Sequence, residues 1–276
     1  MLGRLTVFAA FCLTAGDACP AARNSEPAGA PARVVSLDYC ADQFVLKLAD
    51  RERILAVSPD ARRAFSYMRD AAAGLPVARP VAEDVLVLKP DLVVRSYGGG
   101  PTAAAFFARA GVPVLQVEWA SDLNDVVGNI ERVAEGLGVP GRGAELAADM
   151  KARLAAIAAA PGGARALYMT PAGVTAGPGT LIHDILAAAG LRNFQQAPGW
   201  HPIPLERLAY AQPDLVAAGF FDAMTGFTGA WSSARHPVAR RQLGGQDVVF
   251  LEGAWIACGG WFVMDAVEAL ARPGRR

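Results

Sequence analysis

Histidine is scarce in this 276-residue chain: three residues, His183, His201 and His236, all in its second half. A transition-metal site needs three or four nitrogen, sulfur or carboxylate ligands from separate elements. A zinc or manganese site built on these three is one reading; surface or helix-capping histidines are the plainer one. Cysteine is scarce too. Of four, Cys12, Cys19, Cys40 and Cys258, no set has a compact zinc spacing. Net charge is lacking: 26 Lys and Arg balance 26 Asp and Glu, which removes the usual signature of a nucleic-acid partner or an anionic membrane surface. Also missing are Gly-x-Ser-x-Gly, His-Glu-x-x-His and a Walker phosphate loop, so an extracytoplasmic enzyme has no legible catalytic set. GPGT at Gly177 to Thr180 could hold an anion before a helix, but glycine there reads first as a turn.

Long apolar runs are confined to the start of the chain. Arg4 and the apolar stretch Leu5 to Ala15 describe an export signal over residues 1–22, and a Pro/Ala/Gly/Ser spacer over 23–32 is expected to be disordered. Cys19 has Gly16 where a lipoprotein signal wants an aliphatic residue, which favours simple cleavage over a lipid anchor. No later run approaches the roughly twenty residues of a membrane span. Cys40 and Cys258 then remain in an oxidising compartment, as a disulfide or as two lone thiols.

With 53% hydrophobic and 19% charged residues, the chain can bury one large core or two ordinary ones. RVVSL from Arg33 reads as a strand, Tyr39 to Ala49 as a helix, ILAVSP as a strand, Glu83 to Lys89 as a helix and DLVVRS as a strand. Thr102 to Ala110 then reads as a helix and VPVLQV as a strand. The same alternation returns after residue 161: ARALYMT, Thr180 to Ala189, Pro204 to Ala211, PDLVAAG, Ser232 to Gln242, DVVFLEG and Trp261 to Ala271. Between the two regions lies the longest helical signal, SDLNDVVGNIERVAEGLGV followed by AELAADMKARLAAIAAA. The pattern predicts two parallel-sheet α/β lobes, 33–120 and 161–276, joined by one long helix over 121–160, with a ligand cleft between the lobes.

EDVLVLKPDLVV from Glu83 is nearly repeated as ERLAYAQPDLVA from Glu206. In both, proline ends a helix and an apolar run begins a buried strand. Ligands of open parallel sheets bind at the loops after the carboxyl ends of the strands. Those loops hold Tyr39, Cys40, Arg95, Tyr97, Trp119, Phe221 and Trp255, with Trp200, His201 and Trp231 in long loops nearby. Aromatics gathered there suggest a broad cleft that grips a large ligand by area.

These segments, with GT-x8-AG-x2-N from Gly179 to Asn193, resemble the helix-linked, class III periplasmic substrate-binding proteins of ABC importers for iron-siderophore complexes, haem and cobalamin. The likeness runs from about Arg33 to Ala271. It implies binding without turnover in the periplasm, by a monomer that carries no cofactor of its own, the iron or cobalt travelling inside the ligand. It also implies that Glu83 and Glu206 dock on the two halves of a permease dimer in the inner membrane. Tyr39, Arg95, Tyr97, Trp119, Trp200, Phe221 and Trp255 become candidate ligand contacts, for an iron(III)-siderophore or related chelate first and for cobalamin as the alternative. The arginines of SPDARRAFSYMRD tilt the expectation toward an anionic chelate, and haem would ask for a Tyr or His axial ligand. Cys40 and Cys258 depart from the family's commoner sequences, as a bridge between the lobes or as thiols at the cleft.

Overall fold

The computed structural model describes residues 29–157, 163–222, 232–244 and 247–272. The first lobe runs β1 (Val34–Ser36), α1 (Tyr39–Leu48), β2 (Ile54–Ala56), α2 (Ala82–Val87), β3 (Leu92–Arg95), α3 (Ala103–Arg109) and β4 (Val114–Gln116). Its strands form a parallel sheet in the order β2-β1-β3-β4. Successive residues of β1 and β3 alternate between two cores: Val34 and Val94 face the centre of the molecule, Val35 and Val93 the outer helices.

Two helices follow, α4 (Leu123–Gly136) and α5 (Pro140–Ala156). The single connector expected over 121–160 is therefore corrected to a helical hairpin. Gly138 sits at φ 73, where a side chain would be strained, and Pro140 can open a helix but not continue one. The chain folds back, and α5 approaches so closely that a Cβ on Gly143 would lie 2.3 Å from that of Ala134. α4 packs on α1, and α5 on the last helix of the chain.

The second lobe contains β5 (Arg165–Met169), β6 (Val174–Ala176), α6 (Leu181–Ala188), β7 (Arg192–Asn193) and β8 (Trp200–Pro202). It continues with α7 (Leu205–Tyr210), β9 (Leu215–Gly219), α8 (Pro237–Leu243), β10 (Val248–Leu251), α9 (Gly253–Ile256) and α10 (Val263–Ala271). The helix expected over Ser232 to Gln242 is split: Pro237 lacks the N–H to extend a preceding turn, so a short 3-10 turn, Ser233–Arg235, precedes α8. The main sheet is parallel in the order β7-β5-β9-β10, the same topology as the first. β6 and β8 form a separate antiparallel ribbon.

The repeated PDLV segments occupy the same slot in each sheet, as β3 beside β1 and as β9 beside β5. Each Asp clasps the arginine that opens the neighbouring strand. The Asp91 carboxylate accepts the Arg33 N–H at 2.9 Å, and Asp214 accepts that of Arg165 at 2.8 Å. Each Asp N–H returns a bond to the same arginine's carbonyl. One apolar cluster joins the inner faces of both sheets through α1, α4, α5, α6 and α10, so the lobes share a core. Among the described residues no helix is long and apolar enough to cross a membrane.

Candidate ligand cleft

A cleft of about 730 Å³ opens between the lobes. From the first lobe, the start of α1 supplies Tyr39 and Cys40, the loop after β3 supplies Tyr97, and the end of β4 with the loop beyond it supplies Gln116 to Ala120. From the second come Thr180, Leu181 and Ile182 at the start of α6, Trp200 on the ribbon, and Ile256 to Gly259. Among the described residues lining it, Glu118 is the one charged side chain, and none is Lys, Arg or His.

The first-lobe wall is shaped by a buried carboxylate. Asp38 caps α1 by accepting the Ala41 N–H at 2.9 Å, while its other oxygen accepts the N–H groups of Ser96, Tyr97 and Gly98. A Cβ on Gly98 would lie 2.5 Å from the Leu37 carbonyl oxygen, so only glycine lets this loop close on β1. The arrangement sets Tyr97 edge-on to Tyr39, with ring centres 5.9 Å apart. Burial, with Asp38 and Asp60 nearby, pushes the Tyr39 phenol up. Burial likewise pushes up Tyr97, with Tyr39 and Asp38 adding to it. Both rings therefore present neutral hydroxyls. Beneath them Asp42 is fully buried, accepting bonds from the Ser36 hydroxyl and from the Ser58 N–H at 3.0 Å and hydroxyl at 2.6 Å. Desolvation outweighs these bonds and raises its carboxyl to about 6.

The second-lobe wall is backbone-built. β6 and β8 pair Ala176 with Trp200 and Thr175 with His201. Gly177 donates to the Gly199 carbonyl at 2.8 Å, and a Cβ on Gly177 would lie 1.8 Å from the Ala197 oxygen. The ribbon holds Trp200 over the opening, about half exposed.

A disulfide joins Cys40 to Cys258, with Cα atoms 5.6 Å apart across 218 residues of sequence. Both cysteines line the cleft, so the bridge ties the lobes at the site itself. Tyr39 adds an interlobe bond from its hydroxyl to the Ala257 carbonyl at 3.1 Å. Further round the seam, Tyr67 donates to Asp265 at 2.9 Å and stacks on Phe262 at 4.8 Å. Arg153 pairs with Asp265 and Glu268.

Tyr39, Tyr97, Trp119 and Trp200 thus meet at one cleft, while Arg95, Phe221 and Trp255 lie elsewhere. Arg95 is buried and donates to the carbonyls of Gly98 at 2.8 Å and Gly100 at 3.0 Å, bracing the glycine turn. Phe221 packs behind the second sheet, its ring 6.3 Å from Phe250, and Trp255 packs against the shared core. Two arginines of SPDARRAFSYMRD bond backbone carbonyls, Arg62 those of Ala72 and Leu75 and Arg69 that of Ser66, while Arg63 lies over the Phe65 ring, which packs on Tyr39. Trp231 lies outside the described residues, as does the N-terminal segment read as an export signal. The histidines are dispersed. His183 meets the Asn193 amide, His201 the Pro198 carbonyl, and His236 caps α8. Among the described residues no three His, Cys, Asp or Glu are grouped to hold a metal ion.

Glu83 and Glu206 are both exposed in the first turns of α2 and α7. Neighbouring Asp84 is taken by Arg79 at 2.6 Å, and a shallower concavity of about 390 Å³ lined by Val77, Val87 and Leu88 adjoins Glu83. The sequence reading missed Gln116, Glu118 and Leu181, although Gln116 ends β4 and Glu118 lies just after it, where the strand-end rule points.

A family model described as a periplasmic binding protein matches residues 34–225. The chain belongs to this family. A curated relative, a cobalamin-binding protein of Halobacterium salinarum, is 29% identical over 199 residues, covering 68% of this chain and 54% of the relative. The chain spans about half the length of the curated relatives it matches. Among solved structures, the periplasmic heme-binding protein BhuT in complex with two hemes is 26% identical with a TM-score of 0.69, over 88% of this chain and 97% of that one. The apo heme-binding protein RhuT from Roseiflexus sp. RS-1 is 25% identical with a TM-score of 0.67, over 87% of this binding protein and 97% of its own chain.

Proposed function

We propose that this chain is the substrate-binding component of an ABC importer, and that it captures a flat, weakly charged metal macrocycle of the cobalamin class in the periplasm. The observation that carries the reading is the cleft lining. Tyr39, Tyr97 and Trp119 oppose Trp200 across a cleft of about 730 Å³ with no basic side chain among the described lining residues. Such a surface rewards a large ligand with apolar faces and neutral amide edges, and leaves an anionic chelate without a counter-charge. The cobalamin-binding relative supports the same choice between the two chelate classes expected from the sequence. Action is by binding and release, without turnover. The lobes share a core and a disulfide, so capture proceeds with little hinge motion. Delivery follows when Glu83 and Glu206, one exposed on each lobe, engage arginines of two like permease subunits, a single chain meeting both.

Haem is the second reading, favoured by the two heme-binding neighbours and by Tyr39 and Tyr97 at the cleft. It is the weaker one, because the Tyr39 hydroxyl is already engaged with the Ala257 carbonyl at 3.1 Å and no histidine is among the described residues lining the cleft. Calorimetric titration of residues 33–276 with cyanocobalamin, haemin and a ferric hydroxamate tests the proposal. Saturable 1:1 binding of cyanocobalamin alone is expected. Binding of the hydroxamate or haemin in its place overturns the cobalamin assignment.

A further inference from the structure

Trp119 presents a puzzle of support. Its indole is 76% exposed, so packing does not fix it, yet it stands on the rim of the cleft. Its neighbours on both sides are fixed. Ala120 is buried against the second lobe, where a Cβ on Gly259 would lie 2.5 Å from its own. On the other side, Glu118 is gripped by Asn129, a fully buried residue of α4. The Glu118 N–H donates to Asn129 Oδ1 at 3.1 Å, and Asn129 Nδ2 donates to the Glu118 carbonyl at 2.8 Å. A side-chain amide here reproduces the paired donor and acceptor of a neighbouring strand, just where β4 has ended. Arg132 donates to the same Oδ1 at 2.9 Å, which keeps the oxygen turned to the loop. The loop's start is tied as well: Val117 donates to the Arg95 carbonyl at 2.7 Å, and Gln116 Nε2 donates to the Ser96 carbonyl at 2.6 Å.

We infer that Asn129 is a positioning residue for ligand capture, acting through the Glu118 backbone to hold Trp119 at the cleft rim. The inference rests on the cleft being the ligand site, and it adds a residue outside the cleft lining. Only Asn or Gln offers one donor and one acceptor in this planar form, and Gln is a methylene too long for the buried space. Asn129→Asp keeps the acceptor for the Glu118 N–H and turns the other bond into a repulsion between two oxygens. Asn129→Ala leaves both Glu118 backbone groups without the amide.

The test is a double-mutant cycle on cyanocobalamin affinity, joined to a measurement without ligand. Asn129→Ala should weaken binding about tenfold in the native background and leave it unchanged in a Trp119→Ala background, since coupled residues are non-additive. Equal losses in both backgrounds overturn the inference. For the ligand-free arm, the protein is labelled with 5-fluorotryptophan, and the Trp119 resonance is assigned by its disappearance in Trp119→Phe. Asn129→Ala and Asn129→Asp should shift and sharpen that one line while those of the buried Trp261 and the partly buried Trp255 stay in place. An unmoved Trp119 line overturns the inference even if no ligand binds. Absence of cyanocobalamin binding by the native chain, with the line moved as expected, overturns the cobalamin reading and leaves the positioning role standing. A variant that loses every fluorine shift has unfolded, and Asn129→Asp, which retains one bond, then decides.

Discussion

The two lobes share a strand order and an Asp clasp but build their halves of the cleft by different means. In the first, two buried polar side chains, Asp38 and Asn129, hold loops that carry no regular structure of their own. In the second, the antiparallel ribbon β6–β8 holds Trp200 through backbone pairing. A wall held by side chains can be dismantled by truncating one of them; a wall held by main-chain pairing loses little when a side chain is truncated. The common frame is thus duplicated, and the ligand-facing parts diverge.

The largest expected effect comes from cutting what joins the lobes. Replacing Cys40 and Cys258 by Ser removes a link spanning 218 residues, and a loss of about 4 kcal/mol in unfolding free energy is expected from denaturant titration. A loss under about 1 kcal/mol would mean that the shared core alone sets the interlobe geometry. Next, Asp38→Ala strips the acceptor from four backbone N–H groups and should cost about 3 kcal/mol. No single side-chain truncation in the ribbon, such as Trp200→Ala, should approach that; if one does, the contrast between the walls fails.

Ligand binding sharpens the comparison from the other side. Trp119→Ala and Trp200→Ala should each weaken cyanocobalamin about tenfold, because each removes one face of an aromatic contact. A loss confined to one of them would assign the ligand to that lobe.

A pH effect between pH 3.8 and about 6 should arise in the first lobe. The Asp42 carboxyl is raised in the fold from 3.8 to about 6, so the folded state holds its proton more tightly than the unfolded chain. The resulting stabilisation is full below pH 3.8 and is lost as pH rises through 6. Melting temperatures of native protein and Asp42→Asn should therefore diverge across that window, the variant lacking the native decline. Parallel curves would show that Asp42 stays ionised. The smallest effects belong to the duplicated clasp: Asp91→Ala and Asp214→Ala, both at exposed positions, should each cost about 1 kcal/mol or less and should match one another.

Much of the frame could be read from one sequence. Helix stops at proline and glycine, apolar runs after PDLV and the twofold alternation of strand and helix are local signals, and the two sheets follow from them. The hairpin between the lobes was also written locally, in Leu137-Gly138-Val139-Pro140, but its alanine-rich continuation masked the break. The two-residue β7 and the ribbon strands β6 and β8 were missed because they are too short to show periodicity. Arg95 was misjudged for a different reason. A sequence shows a guanidinium beside a cleft loop; it does not show that the carbonyls of Gly98 and Gly100 take its donors.

The sequence by itself determined the longer elements, the family likeness and the duplication that sets Glu83 and Glu206 at matched places, because these depend on neighbours along the chain. Only the tertiary structure decided that Cys40 meets Cys258, that Tyr39 and Tyr97 share a wall opposite Trp200, and that Asn129 reaches back to Glu118. Those outcomes depend on which side chains the shared core brings together from distant parts of the chain, and on whether a polar group, once buried, finds its partner in the ligand site or in the backbone.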